Sequence, residues 1–232
     1  MSEPALPVRI EEIPLGDPRI KEFVAFHWKH YEDNPYWVPQ LDADLLGNRL
    51  LGLTGLLTPE HPYHSAASAT HFMAFRGREP LGRVSAVVNN RFNDFYNGKY
   101  AFFGFFECVE EYAVAEALLA AARDWAKAQG AEVLRGPGEY SNATHERQAC
   151  LIDGFDKDVY VEHTYNPPYY REFIERFGFA KAMDYHAYLV DLARPIDERI
   201  GQIADGVRAR GHLETRPLEM SQFDADLRIV ID

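Results

Sequence analysis

Between Tyr100 and Val109 the chain reads YAFFGFFECV, an almost unbroken apolar run in which Glu107 is the only charged side chain. A strand with one wet face alternates polar and apolar residues, so a run like this has to be covered on both faces. The best helical pattern in the chain follows directly. Over Ala113–Gln129, Val114, Leu118, Ala121, Ala122 and Trp125 form one apolar stripe, and Gly130 stands where a C-terminal cap is expected. A buried aromatic strand and the helix after it are therefore the fixed point for every other element.

Upstream, Val8–Ile13 reads as a short strand closed by Pro14 and Gly16-Asp17-Pro18. Pro18 then opens an amphipathic helix carrying Ile20, Phe23, Val24, Phe26 and His27 to about Tyr31. Two prolines make Asp33–Pro39 irregular, Gln40–Leu51 is a leucine-rich helix, and a loop runs on to Ala66. Thr70–Arg76 and Leu81–Asn89 are strands across a tight turn, followed by an Asn- and Asp-rich loop over Asn89–Lys99. Downstream, Ala131–Leu134 is a short strand running into Gly136-Pro137-Gly138. Val159–Tyr165 alternates like a strand, Pro167–Phe177 is helical, and Tyr185–Asp191 is a final strand. Beyond Arg194-Pro195, Ile196, Ile200, Ile203 and Val207 recur at helix spacing. Leu213–Leu218 reads as a strand, and Ser221 caps a helix through Phe223, Leu227 and Val230. A strand and half a helix cannot enclose a core. The expected organisation is a first domain over residues 1–192, then a linker helix and the truncated start of a second domain over residues 193–232.

Composition narrows the function classes. With 232 residues, 47% of them hydrophobic, the chain can bury a core without disulfide or metal staples. Its 24 Lys and Arg against 36 Asp and Glu leave a formal charge of −12, and no basic tract is present to neutralise phosphates. Nucleic acid is therefore not an expected partner. No apolar run approaches the ~20 residues of a membrane helix, and the acidic N-terminus lacks the apolar core of a secretion signal. Two cysteines, Cys108 and Cys150, fit a reducing compartment. The expectation is a cytoplasmic protein without a membrane span.

Several segments carry a resemblance: Asp33-Asn34-Pro35-Tyr36-Trp37-Val38-Pro39, Gly82-Arg83-Val84, Phe103-Gly104-Phe105-Phe106-Glu107, Gly136-Pro137, Leu151-Ile152-Asp153-Gly154-Phe155-Asp156, Tyr165-Asn166-Pro167-Pro168-Tyr169-Tyr170 and Gly178-Phe179. Together with the element order, they make the chain resemble the GNAT N-acetyltransferase superfamily, and within it a YghO-like bacterial family of tandem GNAT-like halves. The resemblance implies an α/β (α+β) fold with a central mixed sheet flanked by helices. It also makes Thr215–Asp232 look like the opening of a second half.

By that resemblance the chain moves an acyl group from acyl-CoA to a small-molecule or peptide amine. Cys108, Val109, Tyr112, Ala113, Val114 and Ala115 would cradle pantetheine and pyrophosphate at a helix N-terminus. The usual glycine-containing loop is replaced by Tyr112-Ala113-Val114-Ala115-Glu116-Ala117. Glu110, Glu111 and Glu116 crowd the same turn, where they either complement the helix dipole or repel a pyrophosphate. Glu107 would be the general base, its carboxyl raised by burial, or simply an outward-facing strand-end residue. Tyr170 would be the general acid, or packing for Phe173 and Phe177, with Tyr169 beside the substrate and Asn166 capping the helix. Ser141, Asn142 and His145, with Glu146, would line the substrate mouth. Cys108 reads either as a nucleophile with His145 or His163 as base or as a small buried cysteine of a core strand. His27/His30 and His61/His64 have metal-like spacing but no carboxylate or cysteine partner at a matching offset, so no metal is expected. Two alternatives stay open: a catalytically degenerate scaffold or ligand-binding module, and a carrier-dependent aminoacyl transferase of the tandem type. The superfamily resemblance also implies a homodimer.

Overall fold

In the computed structural model, described over residues 6–140, 147–160, 162–191, 193, 195, 197–211 and 216–231, the aromatic run forms β4, Tyr100–Cys108. It lies inside a five-stranded sheet of order β1-β2-β3-β4-β5, with β1 Arg9–Pro14, β2 Ala67–Arg76, β3 Glu79–Asn89 and β5 Val133–Arg135. Neighbouring strands are antiparallel from β1 to β4, and β5 runs parallel to β4. Two helices cover the two faces. The first, α1 (Ile20–His30), packs Phe23 and Val24 with Met73, Val87 and Phe105. On the opposite face lies α4 (Tyr112–Ala128; α2 and α3 are described below), which packs Val114, Leu118 and Leu119 with Val84, Ala86, Phe103, Phe106 and Cys108. The mixed sheet flanked by helices is the architecture that the resemblance implies.

A bulge decides which way the end of β4 faces. Register advances two residues on β3, from Arg83 to Ser85, while β4 covers Glu107 to Gly104. The extra residue leaves Phe105 at φ 48°, a left-handed conformation that costs a non-glycine residue roughly 1–2 kcal/mol. Its effect is to send Phe105 toward α1 and both Phe103 and Phe106 toward α4. Beyond the bulge β4 loses its second neighbour, because β5 pairs only Tyr100–Phe102. Gly138 N–H still donates to Phe103 O at 2.9 Å. At that contact the two backbones touch: a Cβ on Gly104 would stand 2.2 Å from Gly138 O.

Several expectations are corrected. The residues between β3 and β4 hold a helix, α3 (Asn90–Tyr96), because Asn89 caps it by accepting Phe92 N–H and Asn97 ends it in the left-handed region. The leucine-rich segment breaks at Gly47, φ 78°, into α2 (Asp42–Leu46) and a 3₁₀ turn at Arg49–Leu51. The described residues of 159–165 and those of Tyr185–Asp191 are irregular, and Tyr188, Leu189 and Val190 are exposed. Their alternation suits a strand, but a strand also needs a ladder partner, and among the described residues neither segment has one. The helix after Pro167-Pro168 is α5, Tyr169–Phe177, and Asn166 does not cap it. The Asn166 amide instead accepts from Leu151 N–H and donates to Leu151 O and Pro167 O.

The chain divides into two compact units, Met1–Met183 and Asp184–Asp232. The second contains α6 (Glu198–Ala209), a 3₁₀ turn at Met220–Gln222 holding Ser221, and α7 (Phe223–Ile231). Its expected strand is irregular over 216–218, and residues 212–215 lie outside the described ones. Arg216 pairs with Asp226 in this unit. No helix among the described residues is long and apolar enough to cross a membrane.

The contact at Gly104 has a measurable consequence. Gly104→Ala forces two backbones apart and should cost about 1–3 kcal/mol by denaturant titration. Gly201→Ala in α6, where a Cβ meets nothing within 4 Å, should instead add about 0.5–1 kcal/mol.

Candidate active site

Val109 N–H donates to Leu81 O on β3, so strand alternation turns the N–H and C=O of Cys108 to the opposite edge, the one β5 has left. Two tyrosines from the start of α5 take those groups. The Tyr170 hydroxyl accepts from Cys108 N–H at 2.8 Å, and the Tyr169 hydroxyl donates to Cys108 O at 2.7 Å. Tyr170 Oη also lies 2.9 Å from Nε2 of His30, at the end of α1. Burial lowers the pKa of His30, so its neutral ring offers Nε2 as acceptor and Tyr170 donates to it. Burial likewise holds both tyrosine hydroxyls protonated, well above their ordinary range.

Across the α1 face, the fully buried guanidinium of Arg83 reaches Glu107 at 3.0 Å through both Nε and Nη2. Its Nη1 donates to Phe23 O at 2.7 Å and Val24 O at 3.2 Å, and Nη2 lies 3.3 Å from His27 Nδ1. The Phe23 ring lies 5.0 Å from its central carbon. Burial pushes the Glu107 carboxyl up, but Arg83 first, then His30, His27 and Arg147, hold it below its ordinary value. The expectation of a raised carboxyl fails for that reason: the bulge points Glu107 at a cation. Glu107 is also buried, so the strand-end reading fails too. Desolvation lowers His27 to about 3. Its Nδ1 faces a donor, which places the ring proton on Nε2.

A second buried carboxyl sits where the chain leaves β4. Glu139 Oε2 accepts from Gln40 Nε2 at 2.8 Å and from the Arg147 backbone N–H at 3.1 Å. Burial raises its pKa to about 7 even so. On the other face, Tyr112, Ala113, Val114 and Ala115 form the first turn of α4, with Val109 just before it. Glu111 makes no side-chain cap bond there. Its carboxylate is held by Arg76 Nη2 at 2.7 and 2.9 Å, and Arg176 lies 3.7 Å from the centre of the Tyr112 ring. Arg76 thus offsets Glu111, and Arg176 adds a cation beside Tyr112 at this helix end.

The structure brings Glu107, Cys108, Tyr169 and Tyr170 together around the last residues of β4. Val109, Tyr112, Ala113, Val114 and Ala115 follow on the α4 side. Ser141, Asn142 and His145, with Glu146, lie outside the described residues. Cys108 is buried and its thiol pushed up, against a nucleophilic thiolate. Sequence reasoning missed His30, Arg83, Glu139 and Arg147 as members of this region. Arg83 in the apolar stretch LGRVSAVV was the available signal, since a lone arginine in a buried strand demands a carboxylate partner.

No family model matches the chain. A bacterial ceramide synthase of Caulobacter vibrioides is 29% identical over 226 residues, which is 95% of this chain and 55% of that protein. Protein YghO of Escherichia coli is 27% identical over 169 residues, 73% of this chain and 41% of that one. The chain is thus similar in sequence to both proteins over most of its own length. It spans about half the length of the curated relatives it matches. Solved structures to which it is similar include an aminoglycoside acetyltransferase from an uncultured soil metagenomic sample, in complex with sisomicin. It is 12% identical at TM-score 0.45, covering 79% of this chain and 95% of that one. Another is the aminoglycoside N-acetyltransferase AAC(6')-Iy with CoA, 13% identical at TM-score 0.44, covering 82% and 99%.

The buried ionisable groups set opposing pH dependences. His27 and His71, lowered to about 3 and about 4, bind protons more readily when unfolded. Their contribution is complete above the unfolded value of about 6.5 and is lost as pH falls toward the folded values. Glu139 works the other way, losing stability as pH rises from its unfolded value toward about 7. Glu139→Gln should therefore match the native protein near pH 5 and exceed it by about 2–3 kcal/mol near pH 8 in thermal or urea melts. A variant no more stable than the native chain at the higher pH would show that Glu139 ionises without penalty.

Proposed function

We propose that this chain carries an acyl-CoA-dependent N-acyltransferase site that moves an acyl group to an amine. The observation that carries the reading is the open edge of β4 beyond its bulge, where the His30–Tyr170 pair stands beside the uncapped first turn of α4. An extended pantetheine arm would take the Cys108 backbone groups over from Tyr169 and Tyr170, and the first amides of α4 suit its pyrophosphate. Arg76 lowers the repulsion expected from Glu111. The similarity to a bacterial ceramide synthase favours a long-chain amine as acceptor and a fatty acyl donor. A cytoplasmic location, from composition, and a homodimer, from the resemblance, belong to the same reading, as does the assignment of residues 193–232 to a linker helix and the start of a second GNAT-like half.

In this reading the amine nitrogen attacks the thioester carbonyl, a C–N bond forms, and the C–S bond breaks. One proton must leave nitrogen and one must reach sulfur. Glu107 is poorly suited to take it, since Arg83 stabilises its charged form. The neutral His30 ring and the Tyr170 hydroxyl are hydrogen-bonded at 2.9 Å and can pass one proton along that pair. Tyr170 supplies the thiolate with its proton, and His30 collects the one released by the amine. A second reading, a catalytically silent scaffold, is favoured by one observation: both tyrosine hydroxyls are already engaged by Cys108.

Calorimetric titration with acetyl-CoA and with a long-chain acyl-CoA separates the two readings. Binding with turnover is expected, and Tyr170→Phe should keep affinity while turnover falls by about 10²–10⁴. Absence of binding at about 1 mM of either thioester, a weak limit for any real site, leaves the scaffold reading.

A further inference from the structure

Arg147 is buried, with about nine-tenths of its surface covered, yet no carboxylate among the described residues lies within ion-pair distance of its guanidinium. Its Nη2 donates to Val38 O at 2.6 Å, while Nε has no partner. A desolvated guanidinium normally recovers its lost hydration from a carboxylate or a full set of acceptors. The neighbouring groups deepen the deficit. Trp37, next in sequence to Val38, has an unpartnered buried Nε1, and Tyr31 stacks on Trp37 at 4.9 Å between centroids with its buried hydroxyl turned toward that of Tyr170. His27 lies 5.3 Å from the Trp37 ring, and its Nε2 is also unpartnered. The nearest carboxylate oxygen to that nitrogen, Asp42 Oδ1, is 3.7 Å away, beyond hydrogen-bond distance.

The chemistry of these atoms is one-sided. Trp37 Nε1 and Arg147 Nε can only donate, His27 Nε2 carries the ring proton, and the Tyr31 hydroxyl can donate. Each buried donor left unpaired costs about 1–3 kcal/mol. A single water or hydroxyl accepts about two hydrogen bonds, whereas a carboxylate accepts about four and a phosphate more. Nearby acidic groups do not serve: Glu107 is taken by Arg83, and the bonded Glu139 oxygen by Gln40 and a backbone N–H. Arg147 is close enough for its charge to act on His27, Tyr31, Glu107 and above all the buried Glu139, though neither carboxylate reaches its guanidinium within ion-pair distance.

We propose that Arg147, Trp37 and Tyr31, with His27 at their edge, form a binding site for an oxyanion, the carboxylate or phosphate of a ligand. The site is on the α1 face, away from the first turn of α4 where a CoA pyrophosphate would lie. It stands apart from the acyl-transfer reading and would place an acidic group near the His30–Tyr170 pair.

The test uses the whole chain, inorganic phosphate and acetate as separate probes, and calorimetry with intrinsic tryptophan fluorescence. Millimolar binding of at least one probe is expected, and which one binds distinguishes phosphate from carboxylate. Arg147→Met should weaken it at least about tenfold and Trp37→Phe several-fold, while Arg76→Ala, at the α4 end, leaves it unchanged. Without an anion, Arg147→Met should melt no lower than the native chain, because an unpaired buried charge has been removed. If Arg147→Met does not fold, Trp37→Phe alone carries the comparison. Absence of binding by either probe up to about 50 mM, or affinity unaltered in the variants, overturns the site. No measurement here contains a thioester, so failure of the acyltransferase reading would leave the result intact.

Discussion

Arg83 carries a full charge into the middle of the sheet, and much of the surrounding structure exists to accommodate it. The guanidinium has a carboxylate on β4, two carbonyls and an imidazole on α1, and an aromatic ring beside it. Each partner comes from a different part of the chain. The bond to Glu107 requires the β4 bulge, since without the extra residue Glu107 would point to the α4 face. The contacts to Phe23, Val24 and His27 require α1 to cross directly over β3. One ion pair therefore fixes how the first helix and the central strand are set against each other, and with them His30, which must reach Tyr170.

The sheet also separates two chemistries. On the α4 side lie small residues, a helix end and Arg76 paired with Glu111, an arrangement suited to a long ligand with phosphates. On the α1 side lie histidines, tyrosines, tryptophans and buried charge, an arrangement suited to proton handling and recognition of a polar group. The edge of β4 is where both sides are reached at once, because β5 departs after Phe102.

The parts of this arrangement written as local pattern were legible beforehand: the two-face burial of YAFFGFFECV, the stripe on α4, the hairpin of β2 and β3, and the helix carrying Tyr169 and Tyr170. What stayed hidden depends on register and partners. A bulge adds one residue to a ladder and leaves no mark in hydrophobic alternation, so the direction of Glu107 could not be read. The pairings of His30 with Tyr170 and of Arg147 with Val38 join residues more than a hundred positions apart. Strand-like alternation in Tyr185–Asp191 misled for the complementary reason, since alternation reports a surface that could pair and not one that does. The helix at Asn90–Tyr96 escaped because its cap, Asn89, looks like any loop asparagine until Phe92 N–H is bonded to it.

The contact between Gly104 and Gly138 gives the wedge between β4 and the departing chain a vertex with no side chains. An opening angle set by touching backbones has no adjustable part at its apex, since any larger residue there pries the strands apart. Selectivity for what enters the wedge must then be written along its arms, by Phe106 on one side and by the tyrosines of α5 on the other. Such a cleft can be lengthened, shortened or lined differently while its angle stays constant, as a fixed jaw accepts interchangeable linings.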